Sequence, residues 1–163
     1  GALHYLIHSY DDPQHASAAV DAANRYMKVA SAAGHALHMP SHIYVAMGMW
    51  DDVVRANEQS YGASVARMKE KGLDNDARGY HALQWLLYGY LQQGRMEAAR
   101  KIVEDMTQYA RELPSARARV HMSLIKGAYL VESMTGTAGN PTLQSMKAGL
   151  TSAWSPSMRS SME

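Results

Sequence analysis

The chain has 163 residues, 47% of them apolar and 19% charged, which is ordinary globular composition with enough length to bury a core. Lys and Arg total 16 against 15 Asp and Glu, so the net charge of +1 offers neither the basic surplus that a nucleic-acid backbone asks for nor a polybasic run for an anionic membrane. Cysteine is absent, which excludes disulfides, thiolate nucleophiles and Cys-ligated zinc, and no apolar run reaches the ~18 residues of a membrane span.

Strand signals are nearly absent, with no sustained apolar/polar alternation and no Asn-Gly or Asp-Gly hairpin turn. Residues 2–10 have mid-helix spacing and the first residue is not Met, so the chain reads as an excerpt from a longer protein, with its compartment left open. Asp12-Pro13 predicts an N-cap followed by a first-turn proline. Pro40 is tolerated only where its missing amide has no acceptor, so the helix carrying it is predicted to begin near Leu37 and to leave His35 in the preceding turn. Further breaks fall at Ala33-Gly34, Gly48, Gly72, Gly94, Leu113-Pro114 and Gly136. Between them Leu83, Leu86, Leu87 and Tyr90 share one face, as do Met96, Ala99, Ile102, Val103 and Met106. A helix over Ala116–Met134 follows. In the tail, Asn140-Pro141 opens a helix that places Leu143, Met146, Leu150 and Trp154 on one stripe, suited to covering an open end. The expectation is an all-α fold of about seven helices plus this C-terminal capping helix. The 12 methionines fall at helical spacing and read as adaptable core filler.

Superposing residues 1–34 on 35–68 aligns Ala2 with Ala36, Leu3 with Leu37, His4 with His38, His8 with His42 and Tyr10 with Tyr44. It also aligns Val20 with Val54, Ala22 with Ala56 and Ala32 with Ala66. A 34-residue period belongs to helix–turn–helix repeats. The third unit carries Leu83-x2-Leu86-Leu87-x2-Tyr90-x3-Gly94-x-Met96-x2-Ala99-x3-Val103, and Tyr44-x3-Gly48-x-Trp50-x2-Val53 repeats part of it. In these residues, over about 1–110, the chain resembles the tetratricopeptide repeat (TPR) family, departing from it at Leu87, in a slot usually small, and Val53, where Ala is usual. Gly48 and Gly94 lie 46 residues apart rather than 34, which places an insertion of 12 around Met68–Ala77. The predicted units are about 1–34, 35–80, 81–114 and 115–136, followed by the tail 137–163. Gly1-Ala2-x-His4 and His35-x2-His38-Met39-Pro40-Ser41-His42 are similar to blocks in a His-rich group of bacterial multi-repeat TPR proteins, a likeness that implies no particular activity.

The resemblance implies an α-solenoid whose groove is lined from positions 13, 10, 6, 3 and 2 before each turn glycine. Those slots hold Gly1, His4, His8, Asp11 and Asp12 in the first unit. In the second they hold His35, His38, His42, Val45 and Ala46, and in the third His81, Gln84, Tyr88, Leu91 and Gln92. Six of the eight histidines thus fall on one predicted surface. His15 and His121 fall outside the pattern and read as surface or packing residues, and Asp12 as a cap.

Two functions follow. As a TPR-type interaction module rather than an enzyme, the protein would hold a peptide or protein partner in the groove, with contacts from His4, His8, His38, His42, His81 and Tyr88. As a metal protein, it would use the duplicated i, i+4 pairs His4/His8 and His38/His42, with Asp11 one further turn along. Packed helices about 8–10 Å apart let rings from both meet at one ion. A set of His4, His8, Asp11, His38 and His42, without thiolates, suits Zn²⁺, Fe²⁺, Ni²⁺ or Cu²⁺. Exposed repeat ends also allow self-association. Phosphate loops, the G-x-S-x-G elbow and H-E-x-x-H are absent, and Ser41 between His38 and His42 lacks a third orienting group. The basic run from Arg95 to Arg119 reads as a solvated face.

Overall fold

Glycine and proline set the element order. In the computed structural model, which describes residues 1–29 and 33–134, the helices are α1 (Ala2–Ser9), α2 (Val20–Val29), α3 (Gly34–His38), α4 (Pro40–Ala46), α5 (Trp50–Glu70), α6 (Tyr80–Gln92), α7 (Met96–Glu112) and α8 (Ala116–Met134). Short 3₁₀ turns at Ala16–Ala19 and Asn75–Ala77 complete them, and the described residues contain no strand. With α3 and α4 counted as one interrupted helix, the described residues hold seven, and the all-helical expectation stands. The tail 137–163 and its capping helix lie outside the described residues. Among the described residues no helix is long and apolar enough to cross a membrane.

Two local expectations change. Asp12 does accept amide hydrogens from Gln14 and His15, at 3.0 Å each, as a cap would. The chain then passes through the 3₁₀ turn before α2 begins at Val20, so what Asp12 caps is a turn. Pro40 does not push the helix start to Leu37. Instead α3 begins at Gly34 with His35 in its first turn, and the ladder breaks at Met39, where Pro40 opens α4 as its first residue. A proline at that position gives up an amide the new helix does not use.

Gly48 and Gly94 close two hairpins of the same geometry. Their φ angles are +67° and +71°, a region that costs any L-side chain energy. Beyond them the Met49 amide donates to Tyr44 O, and the Arg95 amide to Tyr90 O, both at 2.8 Å. The insertion between the hairpins is the long end of α5 and the following 3₁₀ turn.

Each helix packs on helices one or two places along the chain, α5 against α3, α4 and α6, and α8 against α6 and α7, a repeat-like arrangement. The core is in two parts. One gathers Ile7, Ala19, Met39, Ile43, Tyr44 and Val53, and the other Val54, Tyr80, Leu87, Leu91, Met106 and Ile125. Consecutive residues of α5, Val53 and Val54, therefore belong to different cores, and α5, whose two valines both approach Gly89 of α6, joins them.

Candidate metal centre

His38 ends α3 and is only 2% exposed. Its Nδ1 lies 2.7 Å from Oδ1 of Asn57, a buried residue of α5 whose side-chain nitrogen donates to Val53 O at 2.8 Å. With the amide nitrogen spent on a carbonyl, the Asn57 oxygen faces the ring, and this network assigns the proton to Nδ1 of His38. Nε2 is left with a bare lone pair, buried and without a hydrogen-bond partner. Burial holds the His38 pKa down at about 4; the Asn57 bond opposes this, and the neighbouring His81, His42 and His35 add to it. The ring is neutral at physiological pH. Ser41, whose place between two histidines lacked a third orienting group for a nucleophile, is fully buried and donates its hydroxyl to the His38 carbonyl. It covers an acceptor freed where Pro40 interrupts the helix.

His42 lies one turn on, in α4, and is half-buried. Its Nδ1 is 2.7 Å from Oδ2 of Asp11, in the segment after α1. The carboxylate only accepts, so it takes the proton on Nδ1 and leaves Nε2 for a ligand, the carboxylate–histidine pairing by which proteins orient metal-binding imidazoles. His81, near the start of α6, is exposed and stands with its ring centroid 4.5 Å from that of His38. Desolvation, then repulsion from His121 and His42, lowers its pKa. Trp85, one turn along α6, walls the group, its ring 5.0 Å from His38 and 4.6 Å from His42.

One ligand nitrogen from each of His38, His42 and His81 lies within 4.8 Å of the other two. Nitrogens about 2.0–2.1 Å from a tetrahedral ion stand about 3.3 Å apart, so closure asks for a shift of roughly 1.5 Å at most. The exposed His81 side chain has room for it. Burial falls from His38 through His42 to His81, so the group is open to solvent on the His81 side. A cavity of about 170 Å³, lined by His35, His38, His81, Ser60 and Ser64 among others, adjoins the rings.

The remaining histidines extend this group into a continuous row. His4 and His8 are 4.7 Å apart, His35 is 5.4 Å from His4, His8 is 5.9 Å from His42, and His121 is 6.4 Å from His81. His15 stands apart, paired with Asp12 at 2.8 Å. The five-ligand set expected from spacing is thus distributed differently. His38 and His42 are joined by His81, Asp11 supports His42 from behind, and His4 with His8 forms a neighbouring pair. Tyr88 meets Trp50 edge-on at 5.8 Å and takes its place beside that indole rather than in the three-imidazole group. Asn57, Trp85 and His121 were not anticipated. A polar residue between the buried Ala56 and Ser60 of α5 was a signal for Asn57, and the i, i+4 spacing to His81 a signal for Trp85. His121, with its Nδ1 buried and unbonded, has no such local signature.

Compared with known proteins, the chain matches no family model, no curated protein and no solved structure.

Proposed function

We propose that the protein binds a divalent transition-metal ion through His38, His42 and His81. The observation that carries this is the Asn57 contact, which leaves a buried, unprotonated Nε2 with no partner among two further imidazoles. Leaving such an acceptor dry costs about 1–3 kcal/mol, and a cation is the species that recovers it. An all-imidazole donor set with a carboxylate behind it suits Zn²⁺, Fe²⁺, Ni²⁺ or Cu²⁺. Three protein ligands and one open position is the arrangement in which a zinc-bound water becomes acidic or a substrate oxygen is polarised. The test is zinc titration of tag-free protein by calorimetry, with metal content measured beforehand. Binding that His38→Ala/His81→Ala weakens by at least a hundred-fold is expected; absence of both heat and thermal shift on adding metal defeats the reading.

A second reading, partner recognition on the histidine-bearing face of a TPR-like stack, draws support from the matched turns at Gly48 and Gly94. Here His4, His8, His38, His42 and His81 orient a peptide by hydrogen bonds, and Tyr88 adds area. It predicts partner capture that His38→Ala/His42→Ala abolishes and a chelator leaves intact. Capture indifferent to those substitutions rejects it.

A further inference from the structure

The three-imidazole centre has a construction rule, and the rule is used twice. Its first two ligands, His38 and His42, are an i, i+4 pair with ring centroids 5.2 Å apart. Its third, His81, lies 13 residues before the hairpin glycine of the next unit, Gly94. Moved back by 34 residues, the pair becomes His4 and His8, 4.7 Å apart on α1. The residue 13 places before Gly48 is His35, whose ring lies 5.4 Å from His4. A ring also flanks this pair, though from another element: Tyr26 of α2 stands edge-on to His4 at 6.1 Å, where Trp85 of α6 stands against His38. In the third unit the rule fails, since Gln84 and Tyr88 occupy the pair positions.

We infer that His4, His8 and His35 form a second binding position for a divalent transition-metal ion, adjacent to the first. Two imidazoles one helical turn apart can present to a single ion from one face, with a third ring from α3. Among the described residues only His38, His42 and His81 already hold ligand nitrogens within 4.8 Å of one another, so the second position closes only when the exposed His8 and His35 rings swing toward His4. The two positions adjoin where His8 approaches His42 at 5.9 Å. A row of imidazoles with Asp11 as its carboxylate is a nitrogen-rich surface that discriminates against Ca²⁺ and Mg²⁺, which take oxygen ligands. The second position is the looser one. His8 and His35 are exposed and, among the described residues, have no partner of the Asn57 kind, so both rings must be ordered on binding, and the second step is expected to be about ten-fold weaker than the first.

This inference shares its chemistry with the first centre but stands on other residues, and metal counting on the full chain separates them. Native mass spectrometry with added Zn²⁺ is expected to show two ions per wild-type chain, one in His4→Ala/His8→Ala and one in His38→Ala/His81→Ala. Saturation of wild type at one ion that His4→Ala/His8→Ala retains and His38→Ala/His81→Ala loses overturns the second position and leaves the first. One ion lost with the His4/His8 substitution and kept with the other upholds the second position and removes the first. No bound ion removes both. Should the double variants lose helicity by circular dichroism, the exposed single substitution His35→Gln decides, with at least a ten-fold loss expected in the weaker step alone. An unchanged weaker step overturns the inference.

Discussion

The Asn57 carboxamide meets the His38 ring at 2.7 Å, so the protonation of that ring is decided from inside the core and not from solvent. In the proposed centre Asn57 would act on the metal only through the orientation of this ring. Replacing Asn57 with Leu keeps the volume and removes the short acceptor, leaving Nδ1–H of His38 with only the Ser41 hydroxyl at 3.3 Å. The expected cost is about 1–3 kcal/mol of stability, together with a 10- to 100-fold loss of metal affinity. Denaturant melts and calorimetry on Asn57→Leu check both; unaltered affinity in a folded variant removes Asn57 from its orienting role.

Acid should act through the same ring. The pKa of His38 is about 4 when folded against an ordinary 6.5, so the unfolded chain takes up a proton that the native ring refuses. Stability is therefore complete above about pH 6.5 and falls as pH drops through the window to about 4, by on the order of 3 kcal/mol. Metal binding weakens across the same interval, because a proton and an ion compete for Nε2. Denaturant melts of wild type and His38→Gln between pH 7 and 4.5 provide the measurement. Parallel pH dependences would show that another group governs acid sensitivity.

Asp11 is exposed and would contribute through the His42 ring. Asp11→Ala is expected to lower zinc affinity about ten-fold while shifting stability by no more than about 0.5 kcal/mol. A stability loss without an affinity loss would make the Asp11–His42 contact a structural tie instead.

Trp85 reports occupancy directly, since its indole centroid is within 5.0 Å of both His38 and His42. Cu²⁺ or Ni²⁺ at the centre should quench tryptophan emission, and Trp85→Phe should remove the metal-dependent part of that signal. Quenching that survives the substitution places the ion elsewhere.

The hairpin turns separate fold from site. Gly94→Ala forces a side chain into φ +71° and should cost roughly 1–2 kcal/mol, with zinc affinity unchanged. Comparison of thermal melts and calorimetry for this one variant tests whether the metal centre is confined to the units that bear its ligands.

The residues that were legible beforehand are those whose spacing is local. Helical periodicity and the turn glycines gave the helices, including the start of the last at Ala116, which runs to Met134 at the limit of the described residues. The 34-residue shift, with the slots before Gly48 and Gly94, put His38, His42 and His81 on one surface before any coordinates. Asn57 and Trp85 escaped because their roles arise across helices, from α5 to α3 and from α6 to both α3 and α4, and no period in the chain encodes such pairings. The break at Met39 was misplaced for a related reason. Proline states where a ladder ends, but packing of Ala36 and Leu37 into the interior keeps the preceding turn helical.

The divided interior gives the centre a mechanical meaning. Val53 belongs to one cluster of the interior and Val54 to the other, and the three imidazoles straddle that same divide, two from one half and the third from α6 in the other. An ion there is a rivet between units whose coupling otherwise runs mainly through one helix. In a stack that melts unit by unit, tightening one junction merges separate steps into a single event. Loading the protein would then sharpen its denaturation profile as well as raise its midpoint.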